Sequence, residues 1–282
     1  NLEQNYREHV ARQAADESLQ AYQTWLDRFP IKDMQTKGWL PNGRDRAKLL
    51  VDLLQFFGLA TPDSWEDIWA GCLVSYRKTA AYESNDHALS VWLRQGELEA
   101  QDIHCAPYDE AAFKRLLFHN IRTLTCATPE TFVPQLVNLC AGAGVAVTLV
   151  PQIEGARVSG ATRWLAKDKA LIQLSLRYKT NDHFWFTFFH EAGHIILHGK
   201  RDVFINVEDA DGDAKEQEAN QFAANTLIPP TAYSAFVQKT QRFSETAVRQ
   251  FAQEMGIAPG IVVGRLQHDA HLPYKHLNGL KE

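Results

Sequence analysis

What the 282-residue chain has little of already narrows its class. It holds four cysteines and two methionines, and the cysteines, at positions 72, 105, 126 and 140, form no CxxC pair of the kind used by zinc ribbons and redox motifs. They are expected as reduced, mostly buried thiols, which suits a cytoplasmic protein. No uninterrupted apolar stretch reaches the ~18 residues of a membrane span: the region 123–153 is broken by Pro129, Glu130, Pro134 and Gly142. A signal-peptide pattern, an internal repeat and a low-complexity tract are all missing. Positive charge is not in surplus either. With 29 Lys+Arg against 34 Asp+Glu, the net charge of −5 offers no overall electrostatic ground for binding nucleic acid or an anionic membrane. What remains is a globular composition, 45% hydrophobic and 22% charged, long enough for two modest domains.

The first 125 residues read as helices. Leu2, Tyr6, Val10 and Ala14 recur at helical spacing from the start, as in a chain cut from something longer. Leu49, Leu50, Leu53, Leu54 and Phe57 form an apolar stripe stopped by Gly58, and Thr61-Pro62 opens a helix carrying Trp65, Ile68 and Trp69. Further helices are expected over 86–103 and 108–124. Trp25, Trp39, Trp65, Trp69 and Trp92 all fall in this half, which predicts an aromatic core or a protein-docking face.

After residue 126 the pattern changes. Thr128-Pro129 starts a capped helix ending near Gly142 or Gly144, the β-branched run Val145 to Val150 and the alternating run Ala170 to Leu176 read as strands, and 158–165 supplies one or two more. The second strand run can accept a substrate strand if it lies at a sheet edge.

His190-Glu191-Ala192-Gly193-His194 is an HExxH sequence in a helical stretch from about 182 to 198. Four residues along an α-helix return ~40° off the starting direction and ~6 Å further on, so both imidazoles can reach one zinc ion. Glu191 then stands beside the metal, where it can take a proton from water and pass it to a leaving amine. Chance alone would place such a pattern about 0.03 times in a chain with this many histidines, which is suggestive and no more.

Catalytic zinc needs a third ligand. His198 lies two turns from His190, too far to share an ion, and Lys200 occupies the position where metzincins carry their third histidine. Carboxylates remain, either in the loop bearing Glu208, Asp209, Asp211 and Asp213 or in the helix that follows it. That helix puts Glu216, Ala219, Asn220 and Ala223 on one face, whereas Glu218 points about 200° away and is expected to be solvated. A carboxylate with an amide four residues later can offer a ligand and a partner for a ligating histidine from one surface. Glu216 is therefore the expected ligand, supported by Asn220. The run from Asp209 to Asp213 imitates the opening of a calcium loop, but Ala214 and Asn220 stand where that loop needs its glycine and its glutamate, so it reads as a solvated turn.

Together HEAGHIILH, the downstream ExEANxFA and Leu227-Ile228-Pro229 resemble the ImmA/IrrE family of zinc metallopeptidases over roughly 126–270. The resemblance implies Zn2+ held by His190, His194 and Glu216, Glu191 as catalytic base, and a substrate of helix-turn-helix repressor or antitoxin type. It implies an α+β architecture, an all-helical domain over 1–125 followed by a zincin-like metallopeptidase domain over 126–282 with a small β-sheet and the HExxH helix. Asn1 to Tyr6 resembles the tail of a HigA-like helix-turn-helix domain, which in many relatives precedes an all-helical segment and this peptidase, and the start suggests that such a domain was once fused to the chain.

Ser244 to Leu266 has a helix-turn-helix look of its own, but with only Arg249 and Arg265 basic it is expected to pack on the zinc domain rather than bind DNA. Tyr178, His183 and His198 are the nominees for stabilising the oxyanion. The function expected is a cytoplasmic regulatory zinc endopeptidase, cleaving in trans or in its own full-length chain, with the helical half forming a homodimer or docking a partner. A non-cleaving zinc sensor or antitoxin module, and a DNA-binding regulator with a structural zinc, are the alternatives; an intact Glu191 favours the enzyme, and the low basic content speaks against the DNA-binding regulator.

Overall fold

The computed structural model describes residues 20–69, 85–175, 180–198, 204–206 and 214–281, and these divide into two units. The expected first helix, the loop 207–213, Cys72 and Tyr178 lie outside the described residues.

The first unit comprises the described residues up to 69 together with 85–95 and 153–156. It is built from helical residues 20–26 and 63–69, α1 (Ile31–Thr36), α2 (Arg46–Phe57) and the first part of α3 (Asp86–Gln101). Asp45 caps α2 by accepting from the Ala47 and Lys48 N–H groups, and Gly58 ends it with φ 69°, a left-handed conformation open to glycine. The stripe it carries buries Leu53, Phe56 and Phe57. Trp25, Trp65 and Trp69 take part in an aromatic core. Trp25 meets Phe29 edge-on at 4.6 Å, Phe57 meets Trp69 at 5.6 Å, and Trp65 stacks on His87 at 4.3 Å.

The second unit carries a four-stranded sheet in the order β1-β3-β2-β4, with β1 (Val145–Val150), β2 (Gly160–Ala166), β3 (Lys169–Ser175) and β4 (Phe204–Asn206). β1 runs parallel to β3; β2 is antiparallel to both β3 and β4. The polar positions of β3 are not solvent-facing as alternation suggests, since Gln173 is 1% and Ser175 9% exposed. Both faces are covered. Ala170, Ile172 and Leu174 join the main core, while Leu171 packs with Ala146 and Ala100 of α3 on the other side. β3 is hydrogen-bonded on both edges, so it cannot receive a substrate strand; β1 and β4 are the outer strands.

The helix expected over 108–124 is interrupted. Asp109 caps α4 (Glu110–Leu116), a π-helical turn follows over Leu117–Ile121, and Arg122–Leu124 closes it. Apolar residues four apart drift ~40° per step in an α-helix, and the wider π turn keeps Leu117 and Ile121 on the buried side. Phe113, Leu117, Ile121 and Leu124 thereby enter the core of the second unit. The units accordingly divide elsewhere than at 125/126: 96–125 belong to the second and 153–156 to the first.

α5 (Pro129–Gly142) begins with proline at its first position, as its sequence predicts. At the C-terminal end α8 (Pro230–Lys239), α9 (Glu245–Met255) and α10 (Pro259–His268) follow. The helix-turn-helix-like pair sinks Val248, Phe251, Ile261, Val262 and Leu266 into the core, and Arg249 and Arg265 pair with Glu245 and Asp269 of their own turns. Cys140 is buried and Cys105 partly so, but Cys126 is exposed, unlike the expectation for it. Among the described residues no helix is long and apolar enough to cross a membrane.

Candidate metal centre

Two helices make the site. α6 (Asn181–Leu197) is anchored at its start, where the Asn181 N–H donates to Lys281 O at 2.9 Å and Asp182 pairs with the Lys281 ammonium at 2.6 Å. Trp185, Phe188 and Phe189 bury its core face. α7 (Ala214–Leu227) lies against it with the small residues Ala219 and Ala223 at the contact, so close that a side-chain carbon on Gly193 would stand 3.3 Å from Ala219 Cα.

The i, i+4 spacing puts His190 and His194 on one face with their Nε2 atoms 3.0 Å apart. Glu216 reaches both, with Oε2 3.1 Å from His190 Nε2 and Oε1 3.4 Å from His194 Nε2. These three residues are the group among the described residues able to share a metal ion, and both imidazoles are 2% exposed or less. Roughly 2.0–2.2 Å ligand bonds in a tetrahedral zinc site leave the donor atoms about 3.3 Å apart, which is close to the triangle seen here. Two imidazole nitrogens and a carboxylate are also a catalytic zinc donor set. The residues fit the metal.

Asn220 stands where the helix periodicity predicts, its Oδ1 2.8 Å from His190 Nδ1. A carboxamide oxygen only accepts, so Nδ1 carries the proton and the Nε2 lone pair faces the cluster. Burial would raise the Glu216 carboxyl, but hydrogen bonds and charge from His190 and His194 outweigh it and bring its pKa to about 2. Burial, joined by the charges of His190 and His198, pulls His194 down to about 4 against the opposing pull of Glu216. In His190 the bond to Glu216, with Glu191 nearby, overcomes burial and raises the pKa. The centre thus gathers a firmly ionised carboxylate between two imidazoles.

Glu191 is wholly buried beside them. Its Oε2 accepts from the Thr162 hydroxyl at 2.7 Å, while Oε1 has no hydrogen-bond partner among the described residues. Burial, and secondarily the charge of Glu216, push its pKa up to about 8 despite His190 and Thr162. Gly160, two residues before Thr162 on the same face of β2, leaves the room Oε1 occupies: a Cβ there would stand 2.6 Å from it. The sequence assigns neither Thr162 nor Gly160 to the site, because nothing local in a strand shows which helix residue it will face.

Of the oxyanion nominees, Tyr178 lies outside the described residues, and His183 and His198 do not stand beside Glu191. His183 is exposed and sits two turns up α6, about 10 Å along the axis from His190. His198 lies behind His194, Nδ1 to Nδ1 at 2.9 Å, and its Nε2 is 3.2 Å from Glu218 Oε2. Glu218 is solvated as expected, with 62% of its side chain exposed, yet it is also this partner.

Residues 145–267 match the model of the Peptidase M78 family, described as the IrrE N-terminal-like domain. No curated protein matches the chain. The matched segment takes in the whole sheet, the HExxH helix and the helix bearing Glu216. Over residues 145–267, somewhat under half of its length, the chain is thus similar to the IrrE N-terminal-like domain, and the match supports a metallopeptidase of ImmA/IrrE type in that segment.

Proposed function

We propose that the chain is a regulatory zinc endopeptidase in which His190, His194 and Glu216 hold the ion, Asn220 orients His190, and Glu191 is the general base. The observation that carries this reading is a buried carboxylate, one oxygen of which has no partner among the described residues, beside a triangle of three metal-competent donor atoms. A bound zinc ion supplies a Lewis acid that makes water more acidic and polarises a peptide carbonyl. Glu191 receives a proton from the attacking water at Oε1 and delivers it to the nitrogen of the leaving amine as the C–N bond breaks. Thr162 positions it. The hydroxyl engages Oε2 and so turns Oε1 toward the reacting groups.

The substrate we propose is a helix-turn-helix repressor or antitoxin, cut in an extended segment. β4 pairs with Gly160–Thr162, the part of β2 that faces Glu191, so a strand added outside β4 would run close to the base. The helical first unit serves as a dimerisation or docking element, and the protein works in the cytoplasm. Incubating the full chain and its Glu191→Gln variant with candidate repressors, with and without zinc, and mapping new termini by mass spectrometry tests the reading. One zinc-dependent cut made by wild type alone supports it. Wild type that binds zinc and cuts none of them favours a non-cleaving sensor, and indiscriminate cleavage of folded proteins removes the regulatory role.

A further inference from the structure

We infer that His198, held by Glu218, is a positioning residue for His194 and sets the metal affinity of the site from the side opposite Asn220. This rests on the zinc-site reading above and adds residues to it.

α6 ends at Leu197, and His198 takes an extended conformation (φ −115°, ψ 160°) while its N–H still donates to His194 O at 3.1 Å. The turn out of the helix folds its ring back along the helix. Its side chain is only 3% exposed, although Leu197 beside it is 45% exposed. The protons then follow from what each acceptor can do. A carboxylate accepts and does not donate, so the 3.2 Å contact with Glu218 puts a proton on His198 Nε2. His198 Nδ1 is left with a lone pair, and at 2.9 Å it accepts from His194 Nδ1–H. His194 Nε2, 3.4 Å from Glu216 Oε1, therefore keeps its lone pair for a metal.

Hydrogen bonding at the far nitrogen fixes the tautomer and ring orientation of a ligating histidine and makes it more basic. Both histidines of the pair receive that support from α7, His190 directly through Asn220 and His194 through one intervening imidazole that ends on Glu218. Asn220 provides a neutral acceptor; the His198 branch ends on a charge, so it can share more of the metal's positive charge. His198 touches none of the three donor atoms, which separates its role from that of a ligand.

The test is competition for zinc between the full chain and a chromophoric chelator at fixed pH, read for wild type, His198→Phe, His198→Gln and Glu218→Gln. His198→Phe should bind zinc about 10–100-fold more weakly, the range for loss of an outer-shell partner. His198→Gln should recover most of that loss, because its amide oxygen can accept from His194 Nδ1–H. Glu218→Gln, at an exposed position that carries no packing, should cost about threefold by removing the charge and keeping an acceptor. Cobalt(II) in place of zinc should show a shifted visible spectrum in His198→Phe and a near wild-type one in His198→Gln. Equal affinity and equal spectra in wild type and His198→Phe would overturn the inference while leaving the site intact. Should His198→Phe not fold, equal affinities in wild type, His198→Gln and Glu218→Gln, with the two spectra unshifted, overturn it instead. Wild type that binds no zinc would remove the site itself, an outcome distinct from either.

Discussion

His87 in the first unit and His190 and His194 in the second are imidazoles drawn out of water, and what fills the space around them differs. Trp65 lies flat against His87, at 4.3 Å and 5°, and Phe29 meets it edge-on at 4.8 Å. Its Nε2 is buried with no hydrogen-bond partner among the described residues. Burial, with Arg28 nearby, lowers its pKa to about 4, so at neutral pH it is an uncharged packing group. Around His190 and His194 the space holds Glu216, Asn220 and His198, and every ring nitrogen faces a polar atom. Desolvation is common to both places. Chemistry follows only where carboxylates and directed acceptors come with it, because they fix which nitrogen keeps a lone pair.

The comparison sharpens most at Glu191. Glu191→Gln should lower hydrolysis by about 10²–10⁴-fold, since the amide cannot accept the proton, with zinc content and thermal midpoint close to wild type. Activity at the wild-type rate would mean that the buried carboxylate is as inert as the His87 ring. Thr162→Val comes next. It keeps the shape and removes the donor, and kcat should fall about tenfold with KM and zinc content unchanged, while Thr162→Ser should stay near wild type. A Thr162→Ser variant as slow as Thr162→Val would show that the methyl group's packing matters and the hydrogen bond does not.

The smallest expected effect lies in the first unit. Above pH 6.5 His87 is neutral in both folded and unfolded chains. As pH falls toward about 4 the unfolded chain takes up a proton that the folded unit refuses, so stability is lost across that window. Because the ring is only half-buried, solvent screening reduces the loss to on the order of 1 kcal/mol. His87→Phe, which keeps the ring stack and cannot titrate, should flatten that part of the pH dependence in urea unfolding. An unchanged slope would place the acid sensitivity elsewhere.

Much of this was open to sequence reasoning because it is local. HExxH, the proline start at Pro129, where the Thr128 side chain makes no cap bond, the stop at Gly58 and the periodicity that favours Glu216 over Glu218 for the cluster all act within a turn or two of chain. What escaped it depends on distant segments meeting. Thr162 and Gly160 face Glu191 only because β2 packs across α6, about thirty residues away in sequence. Glu218 meets His198 because α6 stops at Leu197 and turns the ring back; helix periodicity assumes the helix continues and sends the two apart. The π turn at Leu117–Ile121 escaped for a related reason, since the spacing of its apolar residues also suits an α-helix. The grouping of 96–125 with the second unit follows from Phe113 and Leu117 entering a core whose other members lie far down the chain.

Anomalous diffraction at the zinc edge, from crystals of the full chain prepared without chelators, tests the central claim most directly. The account predicts one peak per chain, at roughly 2.0–2.2 Å from His190 Nε2, His194 Nε2 and a Glu216 carboxylate oxygen, with Asn220 and His198 at the far ring nitrogens. A zinc peak that lacks Glu216 among its ligands, or that lies away from these two histidines, would contradict it.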